Sequence, residues 1–174
     1  MTAWHEEAIG KHHDRKNFDC GNPELNDFLQ KYARQSHDHG GSKTFLAVRD
    51  DDSKQILGFY SLTPTSIDPG KVPAAVRKGL GQHEVPGFRL TRLGVDRPQQ
   101  GKGMGGQLML AAGRRCLRAA SEVGGVVLAI DAKNDRVAEW YRTYGAIPLV
   151  DSPLSLVIPL ATIAEALKAA GHTL

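Results

Sequence analysis

The chain reads as an α+β protein with a mixed central sheet flanked by helices, and three observations predict it. Apolar residues recur at helical spacing in some stretches and gather into short strand-like runs in others, so helices and strands are interleaved. Gly125 to Ala132 is apolar almost throughout, as expected of a strand buried on both faces. Arg92 to Gly106 carries a strand through a Pro-marked turn and a glycine-rich loop into a helix that continues with Gln107-Leu108-Met109-Leu110-Ala111-Ala112.

The elements follow in order. Asn22-Pro23 marks a helix start, with Asn as the cap and Pro at the first helical position. Leu25, Phe28, Leu29, Tyr32 and Ala33 then recur on one face, so residues 23 to 36 form an amphipathic helix. Lys43 to Val48 and Gln55 to Leu62 are two strands joined by the acidic turn Asp50-Asp51-Asp52-Ser53. Prolines and glycines break the stretch from Pro64 to Pro86, which holds at most a short helix near Ala74 to Leu80. Phe88 to Val95 is the strand that feeds the loop, and Gly103 to Ser121 the long helix after it. Asp135 to Tyr144 is a helix that Gly145 ends, Leu154 to Ile158 a final strand, and Thr162 to Ala170 a terminal helix.

A glycine-rich loop that runs into a helix lets several backbone N–H groups converge on one anion, and the helix adds its leading donors and the positive end of its dipole. Gly101, Gly103 and Gly105 remove the Cβ atoms that would block close approach or forbid positive φ. A phosphate or pyrophosphate is therefore expected here. The loop is not a Walker A motif, since no Lys-Ser or Lys-Thr follows its last glycine. Nor is it the dinucleotide fingerprint, because the glycines run G-x-G-x-G-G and no βαβ unit starts the chain.

Composition narrows the class. A chain of 174 residues supports one domain, here taken as residues 1–174, and 41% hydrophobic with 24% charged residues describes a soluble globular protein. No apolar run approaches the roughly 20 residues that span a bilayer. Met1-Thr2-Ala3-Trp4-His5-Glu6-Glu7 lacks the basic and apolar regions of a secretory signal, so the cytoplasm is expected. Cys20 and Cys116 form no disulfide framework, and Cys116 reads as a small core residue of the long helix. The net charge of +3 suits a polyanionic ligand, with basic residues grouped at Arg77-Lys78, Arg89 with Arg92, and Arg114-Arg115 with Arg118. His12-His13 and His37-Asp38-His39 have neither a Cys pair nor an i, i+4 His pair around a Glu. They read as solvent-facing polar residues, and no metal is assigned.

Gln100-Gly101-Lys102-Gly103-Met104-Gly105 resembles the Q/R-x-x-G-x-G/A signature of the GCN5-related N-acetyltransferases (GNATs), and the order of elements matches that fold throughout. Three further stretches resemble its toxin branch. Phe18-Asp19-Cys20-Gly21-Asn22-Pro23-Glu24-Leu25-Asn26-Asp27-Phe28-Leu29 resembles F-x-C-G-x-x-x-L-N/D-x-[WFY]-L; Arg92-Leu93-Gly94-Val95-Asp96 resembles G-R-L-A-V-D. Trp140-Tyr141-Arg142-Thr143-Tyr144-Gly145-Ala146, then Ser152-Pro153, resembles F-Y-x-x-F-G-F…S-P. Gly94 stands where the family prefers Ala, and Trp140 and Ala146 replace phenylalanines.

The resemblance implies the GNAT acyl-CoA N-acyltransferase fold, with central strands splayed at an acetyl-CoA cleft. It implies a toxin of a type II toxin–antitoxin pair that acetylates the amino acid on charged tRNA and blocks translation. A ribbon-helix-helix antitoxin and a homodimer come with it. Coenzyme contacts would fall on Gln100, Gly101, Lys102, Gly103, Met104, Gly105 and Gly106. The backbone N–H groups of Leu93 and Val95 would serve the acetyl carbonyl and the pantetheine arm, and Asn134 either touches the coenzyme or simply caps its helix. Tyr141 occupies the general-acid position beside the sulfur, with Tyr144 the competitor on much the same helix face. Arg77, Lys78, Arg89 and Arg92 would meet tRNA phosphates. Two other readings share parts of this pattern: an acetyltransferase for a small amine, peptide or protein N-terminus, and a non-catalytic acyl-CoA-binding module.

Overall fold

The computed structural model describes residues 2–171. It divides into two compact units, one built from the chain up to Thr63 together with Thr91–Met109, the other from Pro64–Leu90 and the chain from Leu110 onward. The sheet has seven strands: in order, Trp4–Ala8, Lys43–Arg49, Asp52–Ile67 and Val85–Val95 within the first unit, and Asp52–Ile67, Val85–Val95, Val127–Asp131, Ser152–Pro159 and Ile147–Leu149 within the second, since Asp52–Ile67 and Val85–Val95 give residues to both.

The first unit opens with β1 (Trp4–Ala8), which the sequence did not announce. It pairs antiparallel with β2 (Lys43–Arg49), and its only apolar residues, Trp4 and Ala8, flank three polar ones, so it carries no apolar alternation. Helix α1 (Pro23–Asp27) is capped as expected: the Asn22 side chain accepts from the N–H groups of Glu24 and Leu25. The helix then widens into a π-helical turn over Phe28–Tyr32 before α2 (Ala33–Asp38). The extra residue in that turn shifts the phase of the helix. Phe28 and Leu29 stay buried while Tyr32 is 60% exposed, which corrects the assignment of Tyr32 to the apolar face.

Strand β3 (Asp52–Ile67) follows β2 in a hairpin, beginning earlier and ending later than its apolar run because its ends are polar. Arg49 closes the turn with two 2.8 Å bonds to the Asp51 carboxylate. Deep in the hairpin the buried hydroxyls of Thr44 and Ser61 satisfy one another at 2.6 Å. Phe18, Phe28, Leu29, Leu46, Val48, Ile56 and Phe59 make the core of this unit, with Phe18 edge-on to Phe59.

In the second unit β4 (Val85–Val95) pairs parallel with β5 (Val127–Asp131), from Gly87 opposite Val127 to Leu90 opposite Ile130. Val127, Leu128, Ala129 and Ile130 are all buried, as the apolar run requires. The long helix α3 (Met104–Val123) precedes β5 and α4 (Asp135–Arg142) follows it. Strand β6 (Ile147–Leu149) then pairs with β7 (Ser152–Pro159), and α5 (Leu160–Ala169) ends the fold. Pro148 hid β6 from the sequence reading; it is tolerated because β6 lies at the edge of the sheet. No helix forms at Ala74 to Leu80. A 3₁₀ turn at Pro69–Lys71 and separate turns closed by Val76 N–H to Pro73 and Leu80 N–H to Arg77 take its place. Gly79 and Gly81 both have positive φ, which stops any helix there. No described helix is long and apolar enough to cross a membrane.

Candidate active site

In the first unit, β4 ends at Val95 and a 3₁₀ turn at Arg97–Gln99 leads into the glycine loop. Gly101 and Gly103 take φ of 75° and 86°, and a Cβ at either would meet nothing within 4 Å. These two glycines are needed for backbone shape and leave the loop's outer side clear. Gly105 and Gly106 lie in the first turn of α3, inside the helix expected from Gly103 onward, and neither has the positive φ that Gly105 was expected to allow. The first helical bond is Gln107 N–H to the Gly103 carbonyl at 3.2 Å, so the N–H groups of Met104, Gly105 and Gly106 are the helix's leading donors. Lys102 is exposed beside them. Met104 is only 1% exposed, so its side chain anchors the helix and only its backbone is available to a ligand.

The loop is braced from two directions. The Gln100 amide donates to the carbonyls of Val95 at 2.8 Å and Cys20 at 2.9 Å, so this side chain shapes the loop and spends its N–H groups inside the protein. The Cys-Gly motif lies against the same segment. Asp19 N–H donates to the buried carboxylate of Asp96 at 2.9 Å, and Arg97 N–H returns a 2.9 Å bond to the Asp19 carbonyl. Asp19 Oδ1 accepts from Gly21 N–H and from the Asn26 amide, both at 2.9 Å. Asn26 in turn accepts from Cys20 N–H at 2.9 Å. The sequence reading assigned no role to Asp19, Asn26 or Asp96. Their signal was the fixed spacing inside two separate motifs, which does not reveal that the motifs bind one another. Burial raises the Cys20 thiol's pKa, so this cysteine is no activated nucleophile.

Leu93 and Val95 lie on β4 past its last pair with β5, Leu90 opposite Ile130. Gly94 has a packing reason: a Cβ there would approach the Phe59 ring to 2.9 Å and Cys20 Sγ to 3.6 Å. On the same side of the strand, the Arg92 guanidinium lies 3.7 Å from the centre of the Phe28 ring. It has no ion-pair partner among the described residues, and burial lowers its pKa. A stacked, partly desolvated cation without a carboxylate is prepared for an anion.

In the second unit, Tyr141 is 7% exposed on α4, and burial pushes its pKa up to about 12. Its hydroxyl has no hydrogen-bond partner among the described residues, and the ring rests edge-on against Trp140 at 4.9 Å. Tyr144 lies just past the end of α4, also against Trp140, and is more open. The Asn134 side chain caps α4 by accepting from Val137 N–H at 3.0 Å. Arg89 is bound to Asp131 at 2.6 Å, in a cavity of about 270 Å³ that Lys71 and Ser155 also line. Arg89 thus already has a carboxylate partner, unlike Arg92. Arg77 is half-buried with an unpartnered Nε, and Lys78 is exposed next to it.

Two histidines depart from the solvent-facing reading. The His13 side chain is fully buried, with Nδ1 accepting from Gly10 N–H at 2.9 Å and Nε2 donating to Glu7 at 2.9 Å. His37 accepts from Thr44 N–H at 2.9 Å and packs against Phe45. Both rings are retained because their nitrogens find local partners.

The first unit thus carries a positive-φ glycine loop that runs into the leading donors of a helix, and the second carries a buried phenol on α4; each is a feature that an acyl-CoA N-acyltransferase uses. No family model matches the chain. It is 34% identical over 145 residues to a tRNA-acetylating toxin of Mycobacterium tuberculosis, covering 83% of this chain and 85% of the relative. The fold superposes with a TM-score of 0.87 on AtaT complexed with acetyl-methionyl-tRNAfMet, at 27% identity over 95% of this chain and 99% of that one. A tyrosine-to-phenylalanine variant of AtaT, bound to acetyl-CoA and to the C-terminus of the antitoxin AtaR, matches with a TM-score of 0.80 at 26% identity, over 94% and 98% of the two chains. The chain belongs to the tRNA-acetylating toxins, a branch of the GNAT acetyltransferases.

Proposed function

We propose that this chain transfers the acetyl group of acetyl-CoA to the α-amine of an aminoacyl-tRNA and thereby blocks translation. The observation that carries the acceptor is the 34% identity to a tRNA-acetylating toxin across most of both chains. The loop Gly101 to Gly106 holds the pyrophosphate through its backbone, with Lys102 as a nearby cation and Gln100 as the brace. Leu93 and Val95 N–H groups receive the acetyl carbonyl and the pantetheine arm. One such oxyanion donor is typically worth about 2.7–4 kcal/mol.

The amine nitrogen attacks the thioester carbon, a C–N bond forms, and the C–S bond then breaks. The Tyr141 proton goes to the departing thiolate, while the proton lost by the amine leaves to solvent. Its high pKa keeps Tyr141 protonated until the thiolate appears. The acceptor needs little help to be neutral. An α-amine of pKa about 7.7–8.0 is roughly 10–15% neutral at pH 7, against about 0.04% for a lysine, and esterification lowers it further. Arg92, Arg77 and Lys78 meet tRNA phosphates, Arg89 doing so only by leaving Asp131. Asn134 offers the coenzyme its remaining amide donors.

The working molecule in this reading is one acetyltransferase domain over residues 1–174, a cytoplasmic homodimer held in check by a ribbon-helix-helix antitoxin. The experiment is mass spectrometry of charged tRNA after incubation with the protein and acetyl-CoA. Acetylated aminoacyl-tRNA is expected. Unmodified aminoacyl-tRNA together with acetylation of a small amine or peptide would overturn the acceptor and leave the enzyme class standing.

A further inference from the structure

We propose that Glu7, His12 and His13 form a binding site for a divalent transition-metal ion of the zinc type, independent of acetyl transfer. The three side chains come from β1 and from the loop that follows it, and their ligand atoms all lie within 4.8 Å of one another. Both imidazoles aim Nε2 at the same carboxylate oxygen: His12 at 3.5 Å and His13 at 2.9 Å from Glu7 Oε1. Zinc bonds of about 2.0–2.2 Å to nitrogen and oxygen place tetrahedral ligand atoms roughly 3.3 Å apart. The two separations to the carboxylate bracket that value, and all three ligand atoms lie within 4.8 Å of one another, so side-chain rotation alone brings them to an ion. Two imidazoles and a carboxylate are borderline ligands suited to zinc, and leave a fourth position for water.

The surroundings support the ligands. His13 is buried, and its Nδ1 lies 2.9 Å from Gly10 N and 3.3 Å from Gly10 O. Without metal, Nδ1 accepts from the amide and Nε2 carries the proton to Glu7. With metal on Nε2, the proton moves to Nδ1 and is donated to the Gly10 carbonyl, the usual outer partner of a metal-bound histidine, while the Gly10 N–H gives up its bond to the ring and turns away. His5 holds the other Glu7 oxygen at 2.6 Å and is itself held by Asp50 at 2.7 Å, so the carboxylate is fixed from the far side. The His12 and His13 rings, 4.0 Å apart, already converge. An ion here would clasp β1 to the segment that joins β3 through Asp14 N–H and the Lys54 carbonyl at 2.8 Å.

The test is calorimetric titration of zinc chloride into tag-free protein stripped with a chelator, with magnesium as the control ion. Wild type is expected to take up one zinc and no magnesium. His12→Ala and Glu7→Gln should each weaken binding by about tenfold or more, whereas His39→Ala, an exposed histidine elsewhere, should not. Zinc should also raise the thermal midpoint of the wild type and of His39→Ala, and not that of His12→Ala. Since His12 is exposed, its loss does not threaten folding. Absence of saturable zinc binding, or equal binding by wild type, His12→Ala and Glu7→Gln, would overturn the proposal. Acetylation of charged tRNA is unaffected in either case, so the two readings fail separately.

Discussion

At the scale of single residues, Tyr141 and Arg92 carry the sharpest expectations. Tyr141→Phe keeps the buried ring and removes the donor. It should lower kcat by about 10²–10⁴-fold with acetyl-CoA affinity nearly unchanged. Equal turnover by that variant, with loss in Tyr144→Phe, would move the role to the tyrosine past the helix end. Arg92 and Arg89 were indistinguishable in sequence, both basic residues of one strand. Their environments separate them, since Arg89 has Asp131 and Arg92 has only the Phe28 ring. Arg92→Ala should therefore weaken charged-tRNA binding more than Arg89→Ala, and flatten the salt dependence by a slope of roughly 0.7–0.9 for one phosphate contact. Filter binding over a salt series measures both. Identical slopes would mean that Arg92 meets no phosphate.

At the scale of elements, the loop owes its shape to partners that its own sequence does not contain. Gln100→Ala removes two bonds to backbone carbonyls, and its expected effect is weaker acetyl-CoA binding with the thermal midpoint little changed. Calorimetry and melting curves separate these; unchanged affinity would make the brace dispensable. The β1 edge makes a pH-dependent link. Bonds from His13 first, and then from His5, hold Glu7 down to about 2, so this stabilisation is present above the ordinary carboxylate value and fades as pH falls from about 4.5 towards 2. His5 is raised, by Asp50 first and then Glu7, so its share is full below about 6.5 and is lost as pH rises through the elevated value. In chelator-treated buffer, the thermal deficit of Glu7→Gln should be greatest between those limits. A deficit independent of pH would remove the linkage. The glycine loop that leads into it made α3 legible in the sequence, an unbroken apolar run did so for β5, and Asn22 announced its cap. The polar β1, the proline-bearing β6 and the π-helical turn left no such trace, because edge strands and phase shifts do not need an apolar pattern.

At the scale of the whole molecule, growth arrest on induced expression is expected from the wild type and not from Tyr141→Phe. A harmless wild type, with every aminoacyl-tRNA unmodified, would exclude the toxin activity. The glycine loop and the helix tyrosine were legible in the sequence, while the assembly that holds the loop was not, because it joins motifs far apart in the chain. Asp19 and Asp96 are 77 residues apart, and Gln100 reaches back 80 residues to Cys20. This separation sets an order of events during synthesis. A nascent chain that has exposed only its N-terminal motif has nothing to close it against, and its loop must wait for the later segment before taking shape. Tyr141 emerges later still. With Tyr141 as the proposed acid, the enzyme thus becomes competent only after its N-terminal motif, its loop and the later tyrosine segment have all been made.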